Sequence, residues 1–125
     1  MSLEFRVNRK FRLTKSADFK KVKNSGNVFF HPVMKMAVCD NGLSVSRFAV
    51  ITSKIIGNAV ERNRCKRRLR AVLNLLKSDC ETGWDIIFII RKQFLHSNSS
   101  EIQAAVENLF LQAGLLKTKE NIYDR

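Results

Sequence analysis

A chain of 125 residues fits one domain and leaves little room for a second. Its 45% apolar content suffices for one core and argues against wholesale disorder, and no run approaches the roughly 18 apolar residues of a membrane-spanning helix. The net charge of +12, from 23 Lys+Arg against 11 Asp+Glu, directs attention to polyanions, which such a surface binds by releasing condensed counterions.

Residues 1–15 are basic and mostly polar, without the apolar stretch of a signal peptide, and residues 1–12 are expected to be flexible. A short helix follows, with Ser16 as predicted N-cap, Asp18 in its first turn and Asn24-Ser25-Gly26 as its stop. Val28 to Cys39 reads as one strand in which Pro32 marks an edge or a bend, and Asp40-Asn41-Gly42 reads as a turn. Arg47 to Thr52 is a second strand, predicted antiparallel to the first. Asn58 then opens a long helix to about Lys77, with Gly57-Asn58 as its cap.

Trp84 to Arg91 is nearly all apolar after Asp85, which suits a central strand covered on both faces. Ser97 to Ser100 caps a last helix, whose apolar positions Ile102, Ala105, Val106, Leu109, Phe110 and Ala113 follow helical spacing up to Gly114. Residues 115–125 read as a flexible tail. The expected fold is α+β, an α/β sandwich of order α-β-β-α-β-α with a small sheet packed by helices, in a single domain over 1–125. Cys39, Cys65 and Cys80 are odd in number and match no zinc or disulfide spacing, so they read as reduced thiols of a cytoplasmic protein.

The segment Lys54 to Arg70 concentrates seven Lys or Arg and one Glu in seventeen residues. At about 100° per residue, Cys65, Leu69, Val72, Leu73 and Leu76 form one apolar face. Asn63, Lys66, Arg67, Arg70 and Asn74 form another, with Arg62, Arg64 and Arg68 flanking the apolar stripe. Charge runs are usually solvated faces, but this one has a single sign and favours Arg over Lys five to one between Arg62 and Arg70, which suits bidentate phosphate contacts.

Lys54-x-x-Gly57-Asn58-Ala59-Val60-x-Arg62-Asn63-Arg64-x-Lys66-Arg67-x-x-Arg70 resembles the RNR motif of the protein component of bacterial ribonuclease P. Arg12-Leu13-x-Lys15-Ser16-x-Asp18-Phe19-x-x-Val22 resembles the N-terminal helix of that family, and Ile89-Ile90-Arg91-Lys92 the end of its later strand. The resemblance implies a left-handed β-α-β crossover, rare among such units. It also implies a protein subunit that, with a catalytic RNA and Mg²⁺ bound mainly by that RNA, removes the 5′ leader of precursor tRNA. Ribonuclease P RNA and precursor tRNA are then the partners, in a 1:1 ribonucleoprotein with a monomeric protein away from membranes.

On this resemblance Lys54, Asn58, Arg62, Asn63, Arg64, Lys66, Arg67 and Arg70 contact the RNA subunit, although Asn58 also reads as a plain helix cap. Phe19, Arg12, Lys15, Lys23 and Met36 are the leader candidates, with Lys20 a further rim cation. Phe19 reads equally as a core residue, and Lys23 stands where the family commonly has a second Phe. Among Phe29, Phe30, Met34 and Met36, alternation alone does not choose which face the groove. No nucleophile, carboxylate pair or metal-ligand spacing points to catalysis or metal binding by the protein itself. The alternative is a general RNA-binding or ribosome-associated module without a role in cleavage.

Overall fold

Alternation along the strands determines what each face of the sheet carries. In the computed structural model, which describes residues 12–117, helix α1 (Ser16–Ser25) leads into β1 (Asn27–Phe30), β2 (Met34–Asp40) and β3 (Arg47–Ile51). Helix α2 (Ala59–Leu76), strand β4 (Trp84–Ile90) and helix α3 (Ser99–Ala113) follow. Short 3-10 turns occupy Lys54–Ile56, Lys77–Asp79 and Lys92–His96. The sheet order is β1-β2-β4-β3, with β4 antiparallel to β2 and parallel to β3. The β3-α2-β4 unit therefore joins two neighbouring parallel strands.

Two expectations change. The single strand from Val28 to Cys39 is a hairpin, so the order is α-β-β-β-α-β-α. Pro32 has no N–H to give to a ladder and its φ is fixed, so the chain turns there, and the His31 N–H donates to the Met34 carbonyl at 3.0 Å. The strand from Arg47 does run antiparallel to β2, but it pairs with β4, which lies between them. Apolar on both faces, β4 gains most from the position covered on both sides.

The caps follow local chemistry. Lys15, not Ser16, is the N-cap of α1 and makes no side-chain cap bond; Ser16 is already helical. At α2, Asn58 accepts from the Glu61 N–H at 3.0 Å while Glu61 accepts from the Asn58 N–H at 3.2 Å, a reciprocal capping box. Asn98 and Glu101 repeat the arrangement at α3, which narrows the expected Ser97–Ser100 cap to one residue. Gly26 sits where α1 meets β2. A Cβ there would lie 2.3 Å from the Val22 oxygen and 2.7 Å from the Val38 oxygen, so a side chain would force helix and strand apart.

Two cores result. The larger lies between the sheet and helices α2 and α3 and holds Met34, Met36, Val38, Phe48, Ile86, Phe88 and the apolar stripes of both helices. Phe88 and Phe110 meet at 6.2 Å between ring centroids, tilted by 56°, a favourable aromatic geometry. The smaller core, on the opposite face under α1, holds Leu13, Val22, Ala37, Ala49 and Ile87, with Phe19 packed against it.

The chain ends are ordered further than expected. Arg12 bridges to Phe48, and the Leu13 N–H donates to the Phe48 carbonyl at 2.9 Å. Leu115 is buried, Leu116 bridges to Cys80, and the Lys117 N–H donates to the Asp79 carbonyl at 2.7 Å. Position 12 and positions 115–117 thus belong to the packed domain because they satisfy backbone groups of its strands and turns; the rest of the expected flexible ends lies outside the described residues.

The three thiols are free, with Cys65 and Cys80 buried and Cys39 half-buried. Burial pushes the Cys80 thiol from its ordinary 9.0 up to about 12, with Glu81 adding to the effect. A thiol harder to ionise in the folded state gives stability that is intact below pH 9 and lost as pH rises toward 12. Unfolding free energies should therefore fall more steeply above pH 9 for the wild type than for Cys80→Ala. The difference should reach about 1.4 kcal/mol per pH unit, and parallel alkaline limbs in urea titrations would refute this.

Candidate nucleic-acid interface

Helix α2 divides its residues as its periodicity requires. Cys65, Leu69, Val72, Leu73 and Leu76 are buried. Asn63, Arg64 and Arg67 are exposed, and Lys66, Arg70 and Asn74 are partly so. The two remaining arginines are tied inward. Arg62 Nη1 donates to the Gly57 carbonyl at 2.6 Å, stapling the helix to its preceding turn. Arg68 donates to the Ser97 carbonyl and lies over the Phe94 ring at 5.3 Å, joining α2 to the segment before α3. The basic run thus separates into a ridge of Arg64, Lys66 and Arg67 and two arginines with structural contacts. Lys54 is exposed in the turn before the helix, and the Asn58 side chain accepts in the cap.

The ridge continues toward α1. Arg70 and Leu73 of α2 share a cavity of about 170 Å³ with Arg12, Thr14, Phe19 and residues of β3. Arg12 Nε is buried there with no hydrogen-bond partner among the described residues.

A larger groove of about 520 Å³ lies between α1 and the sheet. Its helical wall is Ser16, Phe19, Lys20 and Lys23, which recur at i, i+3, i+4 and i+7 and so share one face of α1. Its floor follows from the strand register. Lys35 of β2, Ile89 of β4 and Ile51 of β3 form one cross-strand row, and Val28, Ala37, Ile87 and Ala49 form the next. The third row, Cys39, Asp85 and Arg47, lies at the end that α1 covers.

Of the leader candidates, Phe19 and Lys23 line this groove, and Arg12 lines the adjoining cavity. Lys15 is exposed at the helix cap. Met36 is misplaced: it is fully buried and points into the larger core, because β2 puts its even-numbered residues on the face opposite the groove. The same alternation brings in Lys35, which the sequence reading passed over. Phe19 is both a packed and a groove-lining residue, and it borders both cavities.

A buried ion pair holds α1 in place. Arg47 makes two parallel bonds to Asp85, Nε to Oδ1 at 2.8 Å and Nη2 to Oδ2 at 2.7 Å, while Asn41 donates to Asp85 Oδ1 at 2.9 Å. The same guanidinium reaches Asp18 of α1 at 3.3 Å. The Asp85 hydrogen bonds hold the Arg47 guanidinium above its ordinary pKa despite burial. Among the described residues no three His, Cys, Asp or Glu side chains gather into a metal-binding set, and no helix is long and apolar enough to cross a membrane.

The chain as a whole is similar to known proteins. The family model described as Ribonuclease P matches residues 7–114. The chain belongs to the ribonuclease P protein family. The ribonuclease P protein component of Herpetosiphon aurantiacus is 35% identical over 114 residues, covering 91% of this chain and 93% of that relative. The protein component of a Dehalococcoides mccartyi strain is 38% identical over 110 residues, covering 87% and 90%. The ribonuclease P protein of Staphylococcus aureus superposes with a TM-score of 0.76 at 29% identity, covering 85% of this chain and 97% of that one. The Thermotoga maritima protein superposes with a TM-score of 0.74 at 25% identity, covering 81% and 96%. As a ribonuclease P protein, the chain is the accessory subunit of a ribonucleoprotein that matures tRNA 5′ ends, the RNA subunit carrying the chemistry.

Proposed function

We propose that the two surfaces divide the work of the holoenzyme. The ridge of Asn63, Arg64, Lys66 and Arg67, with Lys54, Asn58, Arg62 and Arg70 at its margins, binds ribonuclease P RNA. The groove beside α1 holds the single-stranded 5′ leader of precursor tRNA. One observation carries the division: the ridge is cationic along its outward face, whereas the groove has an apolar floor and a rim of Lys20, Lys23 and Lys35. The first suits crowded phosphates of a folded RNA. The second suits a strand whose bases face protein while its phosphates meet ammonium groups. Arg12, whose Nε has no partner among the described residues, and Arg70 stand between the two surfaces, where a phosphate oxygen would satisfy the buried donor. Mg²⁺ would be held mainly by the RNA, whose phosphates carry the negative charge a divalent cation needs. The assembly would be a cytoplasmic 1:1 complex.

Reconstitution tests this. Added to ribonuclease P RNA at low Mg²⁺, the protein should stimulate 5′ cleavage of precursor tRNA. Binding to many RNAs without stimulation would leave only a general RNA-binding module. Within the holoenzyme, Phe19→Ala should weaken precursor tRNA by roughly tenfold and leave mature tRNA unchanged; equal weakening of both would confine Phe19 to the core.

A further inference from the structure

β1 carries two adjacent phenylalanines with opposite fates. Phe29 is half-buried against the larger core, while Phe30 is 60% exposed. The register sets Phe30 directly opposite Lys35, so it extends the row Lys35, Ile89, Ile51 by one strand, on the groove face. Side chains directly opposed on an antiparallel pair lie within contact range of one another. The backbone beneath the ring is fixed: Gln112 Nε2 of α3 donates to the Phe30 carbonyl at 3.1 Å, and Pro32 closes the hairpin two residues later. The floor between Phe30 and Phe19 is aliphatic, formed by Ala37, Ile87 and Ile89.

We propose that Phe30 and Lys35 form a second nucleotide subsite, at the open end of the groove, in which the Phe30 ring stacks on one leader base and the Lys35 ammonium meets a neighbouring phosphate. This rests on the groove being the leader's site. The occupant is single-stranded RNA because the patch is continuous with a lysine-rimmed groove on a chain of net charge +12, and an aromatic face accepts any base. An exposed ring held on a rigid hairpin gives up little entropy on stacking.

The test uses the full chain assembled with ribonuclease P RNA, and precursor tRNAs carrying 2-aminopurine at successive leader positions. Phe30→Leu should lower affinity for long-leader precursor about tenfold, abolish fluorescence quenching at one leader position, and leave mature tRNA affinity and thermal unfolding unchanged. Lys35→Met should make the salt dependence shallower by about one phosphate. If Phe19→Leu weakens the leader and Phe30→Leu does not, the groove reading survives and the subsite fails. If neither variant acts through the leader, both fail. Equal loss for precursor and mature tRNA would likewise overturn the subsite.

Discussion

Asp85→Ala is expected to cost the protein about 3–5 kcal/mol of stability, the range for breaking a buried ion pair from one side. That is a large share of the roughly 5–15 kcal/mol that holds a domain folded. Asp85 is 3% exposed, and its carboxylate accepts three hydrogen bonds, two from Arg47 and one from Asn41. Removing it leaves a guanidinium, itself only a fifth exposed, with Asp18 alone at 3.3 Å. Urea unfolding should show a lower midpoint at unchanged slope. The double variant Asp85→Leu/Arg47→Met should recover much of the loss, because apolar groups of similar size do not carry the desolvation cost of two charges. A single variant as stable as the wild type would show that the pair contributes nothing net.

The largest effect on binding is expected from Arg64→Ala/Arg67→Ala. Affinity for ribonuclease P RNA should fall by roughly tenfold per arginine, the scale of a hydrogen bond to a charged group. The slope of log affinity against log salt should become shallower by about two phosphates' worth. Melting should change little, since both side chains are exposed. Arg68→Ala supplies the contrast: it should lower the melting temperature through loss of the Phe94 and Ser97 contacts while sparing the salt slope. If Arg68→Ala instead matched the double variant in RNA binding, the split of the basic run would be wrong.

The helices were legible in the sequence because their signals are local. The stripe from Cys65 to Leu76, the Asn58 cap and the Gly114 stop each depend on residues within a turn or two. The placement of β4 between β2 and β3 was not, since pairing joins residues far apart in the chain, such as Met34 with Ile90 and Arg47 with Asp85. The Met36 error shares that origin. The strand was expected to run through Pro32, so nothing fixed its phase; once the hairpin restarts at Met34, Met36 turns to the core and Lys35 to the groove. The Arg47–Asp85 pair escaped notice because an acidic residue opening an apolar strand resembles any solvated strand end. Helical angle sets Arg62 and Arg68 beside the apolar stripe, but it does not show the carbonyl each one reaches.

The contact at Gly26 bears on how the groove receives a strand. Helix α1 abuts the sheet backbone at its C-terminal end through Gly26 and is tethered near its other end through Asp18 and Arg47, with Lys21 bonded to the Asp40 carbonyl at 3.3 Å between them. A wall anchored at three points keeps a constant span, so a leader held in the proposed groove would meet a gauge of set width in which accommodation falls to the nucleotides. Leaders of different sequence should then be told apart by how easily their own bases unstack, with the protein contributing the same opening to each.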